Sequence, residues 1–305
     1  MGNKYNNYII IANEFLYKEE YKSSLESFEK ALKFANNDKE KIDALYEMAD
    51  LNIILKNYES ALDNYRQILS LDENQPGAHY GLSISNDFLK GDFDFSIRHY
   101  HEAIKLDPSY DRAYYYLSSL YDKIGEGEKA IEALKKCVEL DPYDYTSHNI
   151  IAAIYESMDQ NQKALIYAKK ALEINPNFGD ALFNMGVINK KLGNNREALK
   201  YYEKAQSEFL NPNLYLNMSA IYIEEGNFKK AEKILKEGLR TYPDSVNLHY
   251  NLACTYKNLD EISQALLELK DTINIDPEAL TWVKKDDDLK DLIKFIKDWF
   301  EVKLW

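Results

Sequence analysis

All seven prolines of this 305-residue chain, at positions 76, 108, 142, 176, 212, 243 and 277, recur at intervals of about 34 residues. Five of them end a tail that reads LDP, INP, TYP or IDP. A proline cannot continue the helix before it but is tolerated at or near the first turn of the next, so prolines at a fixed period punctuate helix pairs. Between them the apolar spacing is helical, and turns such as GEGE, LGNN and EEGN break it mid-repeat. Length alone would suggest about two compact domains, but that expectation fails for a chain that grows one repeat at a time.

Aligned on the prolines, every unit has a small residue at the same two stations. In the first helix these are Ala12, Ala49, Ser83, Ser118, Ala152, Gly186, Ser219 and Ala253. Early in the second they are Ser24, Ala61, Ser96, Ala130, Ala164, Ala198, Ala231 and Ala265. Helices approach closely only where side chains at the crossing are small, so these stations mark where each pair meets. Leu117, Met185, Met218 and Leu252 on first helices, with Phe28, Tyr65, Tyr100 and Tyr202 on second helices, fill the adjoining space. One pair cannot bury such a face alone, and stacking is required.

The run AYYYLSSLYDKIGEGEKAIEALKKCVELDP, residues 113–142, closely matches a series of an aromatic or large residue, Leu, a small residue, Tyr, then Gly, Tyr, Ala, aromatic, Ala and Pro. The chain thereby resembles the tetratricopeptide repeat family over about residues 5–279, in eight units starting near 5, 42, 76, 111, 145, 179, 212 and 246. The resemblance implies an all-α, right-handed superhelical solenoid of antiparallel helix pairs over residues 1–279, with a C-terminal capping helix region over 280–305. Two departures stand out: about three extra residues around ANNDKEK at the first junction, and one extra residue in the third unit, placed before Gly91. In the tail, Leu289, Leu292, Ile293, Ile296, Trp299 and Phe300 share one helical face suited to covering the last repeat. Phe295, Val302, Leu304 and Trp305 exceed what a cap requires and would suit self-association.

The formal net charge of −13 and the absence of a basic stripe exclude a nucleic-acid scaffold, whose affinity rests on neutralising phosphates. Cys137 and Cys254 lie far apart and outside any metal or CxxC spacing, which predicts free thiols in a reducing compartment. Neither a cleavable leader, nor a myristoylation signal (Asn6 stands where Ser or Thr is needed), nor a membrane span is read, so a soluble cytoplasmic protein is expected. No phosphate-binding loop, HExxH, GxSxG or Ca-binding loop occurs. His99 and His101, with His79 upstream, come nearest to a ligand group, but residues two apart on a helix face different ways. Carboxylates near helix starts are explained by capping and the helix dipole. No enzyme activity, cofactor or metal is expected.

In the family, first helices line a concave groove. The resemblance then puts Ile9, Tyr46, Tyr80, Tyr115, Asn149, Phe183, Leu216 and Tyr250 on one inner row, with Tyr116 also toward the groove and Tyr114 in the core. Asn184, Asn217 and Asn251 resemble a ladder that holds an extended peptide backbone, although asparagine there also serves interhelical hydrogen bonding. Inner-face charges run from Asp43, Glu47 and Asp50 to Lys123, Lys190, Lys191 and Lys257, and the Lys/Asn/Arg set of a carboxylate clamp is absent. The reading is a non-catalytic protein–protein interaction scaffold that takes an extended peptide or partner helix in the groove, as a monomer or a weak homo-oligomer joined through its C-terminus. Two alternatives stay open: a structural unit that self-assembles through the apolar C-terminal end, and an accessory or sensor subunit of an enzyme complex. A protein or peptide partner is expected, with no nucleic acid and no membrane.

Overall fold

The structure, a computed structural model, describes residues 4–300, with side chains through residue 296. Helices follow one another in pairs: α1 (Lys4–Tyr17) with α2 (Tyr21–Lys33), α3 (Asp38–Ile54) with α4 (Tyr58–Leu71), α5 (Pro76–Phe88) with α6 (Phe93–Leu106), and α7 (Asp111–Lys123) with α8 (Gly127–Leu140). The series continues with α9 (Tyr145–Ser157) and α10 (Asn161–Ile174), α11 (Gly179–Lys191) and α12 (Asn195–Ala205), α13 (Asn213–Glu224) and α14 (Phe228–Thr241), and α15 (Val246–Asn258) and α16 (Ile262–Ile275). A 3-10 turn at Pro277–Ala279, α17 (Leu280–Lys285), a second 3-10 turn at Lys290–Leu292 and α18 (Ile293–Phe300) complete the described chain, which contains no strand. The fold is an all-α repeat of helix pairs, divided into two compact units, residues 1–154 and 155–305.

The expected unit starts fall within one residue of the first helices, except at α3, which begins at Asp38 instead of near residue 42. The cause is local. The Asn37 side chain accepts from Glu40 N at 2.9 Å, and Glu40 Oε2 accepts from Asn36 N at 2.7 Å, so the extra residues of the first junction lengthen α3.

All sixteen small-residue stations are buried. Ser24 Oγ donates to Ala12 O at 2.8 Å and Ser83 Oγ to Ser96 O at 2.9 Å, so paired stations meet where hydroxyls can reach the opposite backbone. Gly186 is required by the same closeness: a Cβ there would lie 2.3 Å from the Tyr202 ring.

Each first helix is followed, seven residues after its small station and two past its last helical residue, by a residue in the left-handed region. These are Glu19, Lys56, Lys90, Gly125, Asp159, Gly193, Gly226 and Asp260, with φ between 53° and 80°. The next amide in each case reaches back to a carbonyl five residues earlier, at 2.7–2.9 Å, which satisfies a carbonyl the helix end would orphan. The small station of the second helix follows after five residues, except between α5 and α6, where it follows after six. The extra residue of the third unit therefore comes after Lys90, not before Gly91, and Tyr80 keeps the register of its counterparts.

Five of the eight second helices, α4, α6, α8, α10 and α16, end on an extended Asp or Asn whose side chain builds the following turn. Asp107 Oδ1 accepts from Ser109 N at 2.9 Å, and Asp141, Asn175 and Asp276 accept likewise from Tyr143, Asn177 and Glu278. The proline after the aspartate is the second residue of that turn, so only Pro76 opens an α-helix directly.

In the second unit the core runs through to the tail, where Val283, Leu289, Leu292 and Ile296 join the cluster that holds Leu269 and Ile273. The tail is two short helices instead of one, because Asp286 forms a turn, its Oδ1 accepting from Asp288 N at 2.8 Å. Phe295 is 47% exposed, with Lys294 Nζ 4.9 Å from its ring centre. Trp299, Phe300, Val302, Leu304 and Trp305 lie outside the described side chains. No helix among the described residues is long and apolar enough to cross a membrane.

Candidate functional site

In the first unit, α3, α5 and α7 bring Tyr46, Tyr80 and Tyr115 to half-buried positions, and Tyr116 is 39% exposed. The Tyr80 ring lies 5.2 Å from Tyr110 and 5.9 Å from Tyr116, and Tyr116 meets Tyr115 edge-on at 5.4 Å, spacings at which aromatic pairs attract. Tyr46 and Tyr65 extend the group, 6.3 Å apart. Burial pushes the Tyr46 hydroxyl up to about 12, so it stays a neutral donor. Tyr116 is a shared wall of two shallow cavities. One, of about 240 Å³, is lined by Asp111, Arg112, Tyr115, Tyr116, Cys137, Asp141 and Asp144. The other, of about 160 Å³, reaches Asp87, Phe88 and Lys123.

Tyr114, expected in the core, is only half-buried and lies near Lys136. The core face of α7 is Ala113, Leu117, Ser118 and Leu120, and one residue past Ala113 the helix has turned about 100° away. Asn149 is buried, 6% exposed, and presents little surface.

Three carboxylates share one exposed face of α3, because Asp43, Glu47 and Asp50 are spaced by four and three residues. Burial first, then Asp50 and Asp43, hold the Glu47 carboxyl above its ordinary value. Asp50 is also raised by burial, although it accepts from the Tyr65 hydroxyl at 3.1 Å and feels Arg112.

In the second unit the expected inner positions are taken up by the chain itself. Phe183 is stacked on Phe209 at 4.4 Å. The Tyr250 hydroxyl donates to Asp286 at 2.5 Å and its ring meets Trp282 at 6.0 Å, so the tail lies against it. Lys190 pairs with Glu224 at 3.0 Å and Lys191 with Glu156 at 2.7 Å and Asp159 at 3.1 Å. Neither lysine is a free cation. The signal existed in the sequence, since Lys190 and Glu224 stand one repeat apart. Asn251 Nδ2 donates to Asn247 O of its own helix at 2.8 Å, and Asn217 lies beside the Tyr202 hydroxyl, while Asn184 is half-buried.

His99 and His101 face apart as expected. His99 Nδ1 lies 2.8 Å from His79 Nδ1, and His101 Nε2 lies 2.9 Å from the Tyr121 hydroxyl. Since His79 Nε2 faces the Glu73 carbonyl at 3.1 Å and must donate to it, His99 is the donor within the imidazole pair. Burial, then the His79 ring, depresses His99 to about 4. Cys137 and Cys254 are free, and burial pushes each thiol up to about 12.

Tetratricopeptide repeat family profiles match residues 42–75, 111–144 and 145–178, residues 167–200, and residues 190–245 and 222–282, together more than half of the chain. The chain belongs to the tetratricopeptide repeat family. Among solved structures it is similar to a crystal structure of MamA protein, at 27% identity over 58% of this chain and 94% of that one, with a TM-score of 0.52. MamA 41-end from Desulfovibrio magneticus RS-1 is 25% identical over 58% of this chain and 97% of that one, with a TM-score of 0.52. PilF of Pseudomonas aeruginosa, at 20% identity over 69% of this chain and 96% of that one and a TM-score of 0.58, shares the fold. No curated protein matches the chain.

Proposed function

We propose that the chain is a non-catalytic scaffold whose first unit binds an extended peptide or a partner helix on the tyrosine face of α3, α5 and α7. The observation that carries this is Tyr116, a large exposed ring between two cavities and braced by Tyr80 and Tyr115. Rigid aromatic anchors beside pockets supply most of the affinity in protein interfaces. Family membership supports the interaction role, and the stacked Phe183 and tail-bound Tyr250 shift the weight of the proposal from the second unit to the first. The free thiols support a reducing, cytoplasmic setting.

The test is to select peptides from a displayed random library against the whole protein and titrate the winners. Tyr116→Ala and Tyr115→Ala should each weaken binding by about 1–4 kcal/mol while moving the melting midpoint little. Winners indifferent to both changes, but lost on substitution of the outward face of α4 or α8, would place the binding surface elsewhere.

A further inference from the structure

The tyrosine face has a sign. Asp50 accepts from Tyr65 on this face, Asp43 and Glu47 share its side of α3, and Asp111, Asp141 and Asp144 line the larger cavity beside Tyr115 and Tyr116. Among the described residues no lysine or arginine forms an ion pair with any of these six. Elsewhere the same molecule pairs its carboxylates readily, as at Glu156, Glu224, Glu232 and Glu261. The three cavity aspartates each spend Oδ1 on a backbone amide, of Arg112 at 2.6 Å, Tyr143 at 2.9 Å and Ser147 at 3.0 Å, and none of these bonds neutralises charge. Arg112 is the one basic residue lining that cavity.

We infer that the occupant of this face is an extended peptide segment carrying arginine or lysine at alternate positions, whose cationic heads meet these carboxylates and the tyrosine rings. The inference rests on the reading of the tyrosine face as a binding surface. In an extended segment alternate side chains point the same way, so one edge could present several cations while the other faced solvent. A guanidinium suits both walls of the larger cavity, since it stacks on aromatic faces and forms paired hydrogen bonds with carboxylates. The raised carboxyl of Glu47 agrees with the geometry, because a cation brought to α3 would relieve the repulsion from Asp50 and Asp43. An acidic segment would add to the same repulsion.

The experiment uses the whole chain and three fluorescent peptides with one apolar frame, carrying arginine, its neutral isostere citrulline, or glutamate at alternate positions. Anisotropy should show the arginine peptide binding about tenfold or more tighter than the citrulline peptide at low salt, with the gap shrinking at high salt, and the glutamate peptide binding weakest. Glu47→Gln with Asp50→Asn should erase most of the advantage of the arginine peptide over the citrulline peptide. Glu59→Gln with Glu132→Gln, on α4 and α8, removes the same charge and should change little. Equal binding of arginine and citrulline peptides, both weakened by Tyr116→Ala, overturns the cationic preference while the tyrosine face stands. An arginine advantage lost equally in both double variants overturns it too, because net charge alone would then explain the effect. Binding of every peptide that ignores Tyr116→Ala overturns the tyrosine face itself.

Discussion

Lys56 and Lys90 hold φ at 61° and 53°, a region where a Cβ crowds the following carbonyl, while Gly125, Gly193 and Gly226 occupy the same station without that cost. Replacing either lysine by glycine is expected to stabilise the chain by about 0.5–1 kcal/mol, read as a shift of the denaturation midpoint. No such gain should follow at Lys18, one residue before a left-handed position. A second single-residue effect comes from His99. Its proton affinity falls in the fold, so between about pH 6.5 and about 4 the unfolded chain binds a proton that the folded chain refuses. Stability should therefore decline on acidification across that window, and His99→Gln should flatten that part of the curve. At this scale the sequence was partly legible. Small residues announced themselves by recurring at one period, but Lys, Glu and Asp carry no mark of a left-handed backbone, and Lys190 looks free until its partner one repeat away is found.

At the scale of the helix pair, the crossing stations decide how closely two helices can lie. Ala130 is fully buried, and Ala130→Leu is expected to force α7 and α8 apart at a cost of about 1–3 kcal/mol. An unchanged melting curve would show that the crossing is looser than drawn. Pair boundaries were legible because proline punctuates them, and the turns inside three pairs because Gly125, Gly193 and Gly226 mark them. The start of α3 was obscured by the missing proline, although Asn37 and Glu40 carried a capping signal that could have placed it. Tyr114 was misplaced for a different reason: three tyrosines in a row have one chemistry, and only the helical phase set by Ala113 and Leu117 separates the half-buried from the exposed.

For the whole chain, the tail matters because its apolar residues finish a core that the eighth pair leaves open. Removing residues 280–305 uncovers Leu269 and Ile273 and strips Val283, Leu289, Leu292 and Ile296 from the cluster. The shortened chain is expected to melt at least about 5 °C lower and to aggregate more readily, as light scattering during heating would record. That eight pairs exist was readable from the period. That the tail reaches Tyr250 was not, because the contact between Tyr250 and Asp286 obeys no repeat. The fixed count of seven residues from small station to left-handed turn bears on how such a chain can change length. Deleting one residue inside that interval would rotate everything up to the turn by about 100° and turn buried stations toward water, so the interval acts as a reading frame. Whole repeats can be gained or lost without breaking that frame, and residues can be added only outside it, as they have been after Lys90 and at the start of α3.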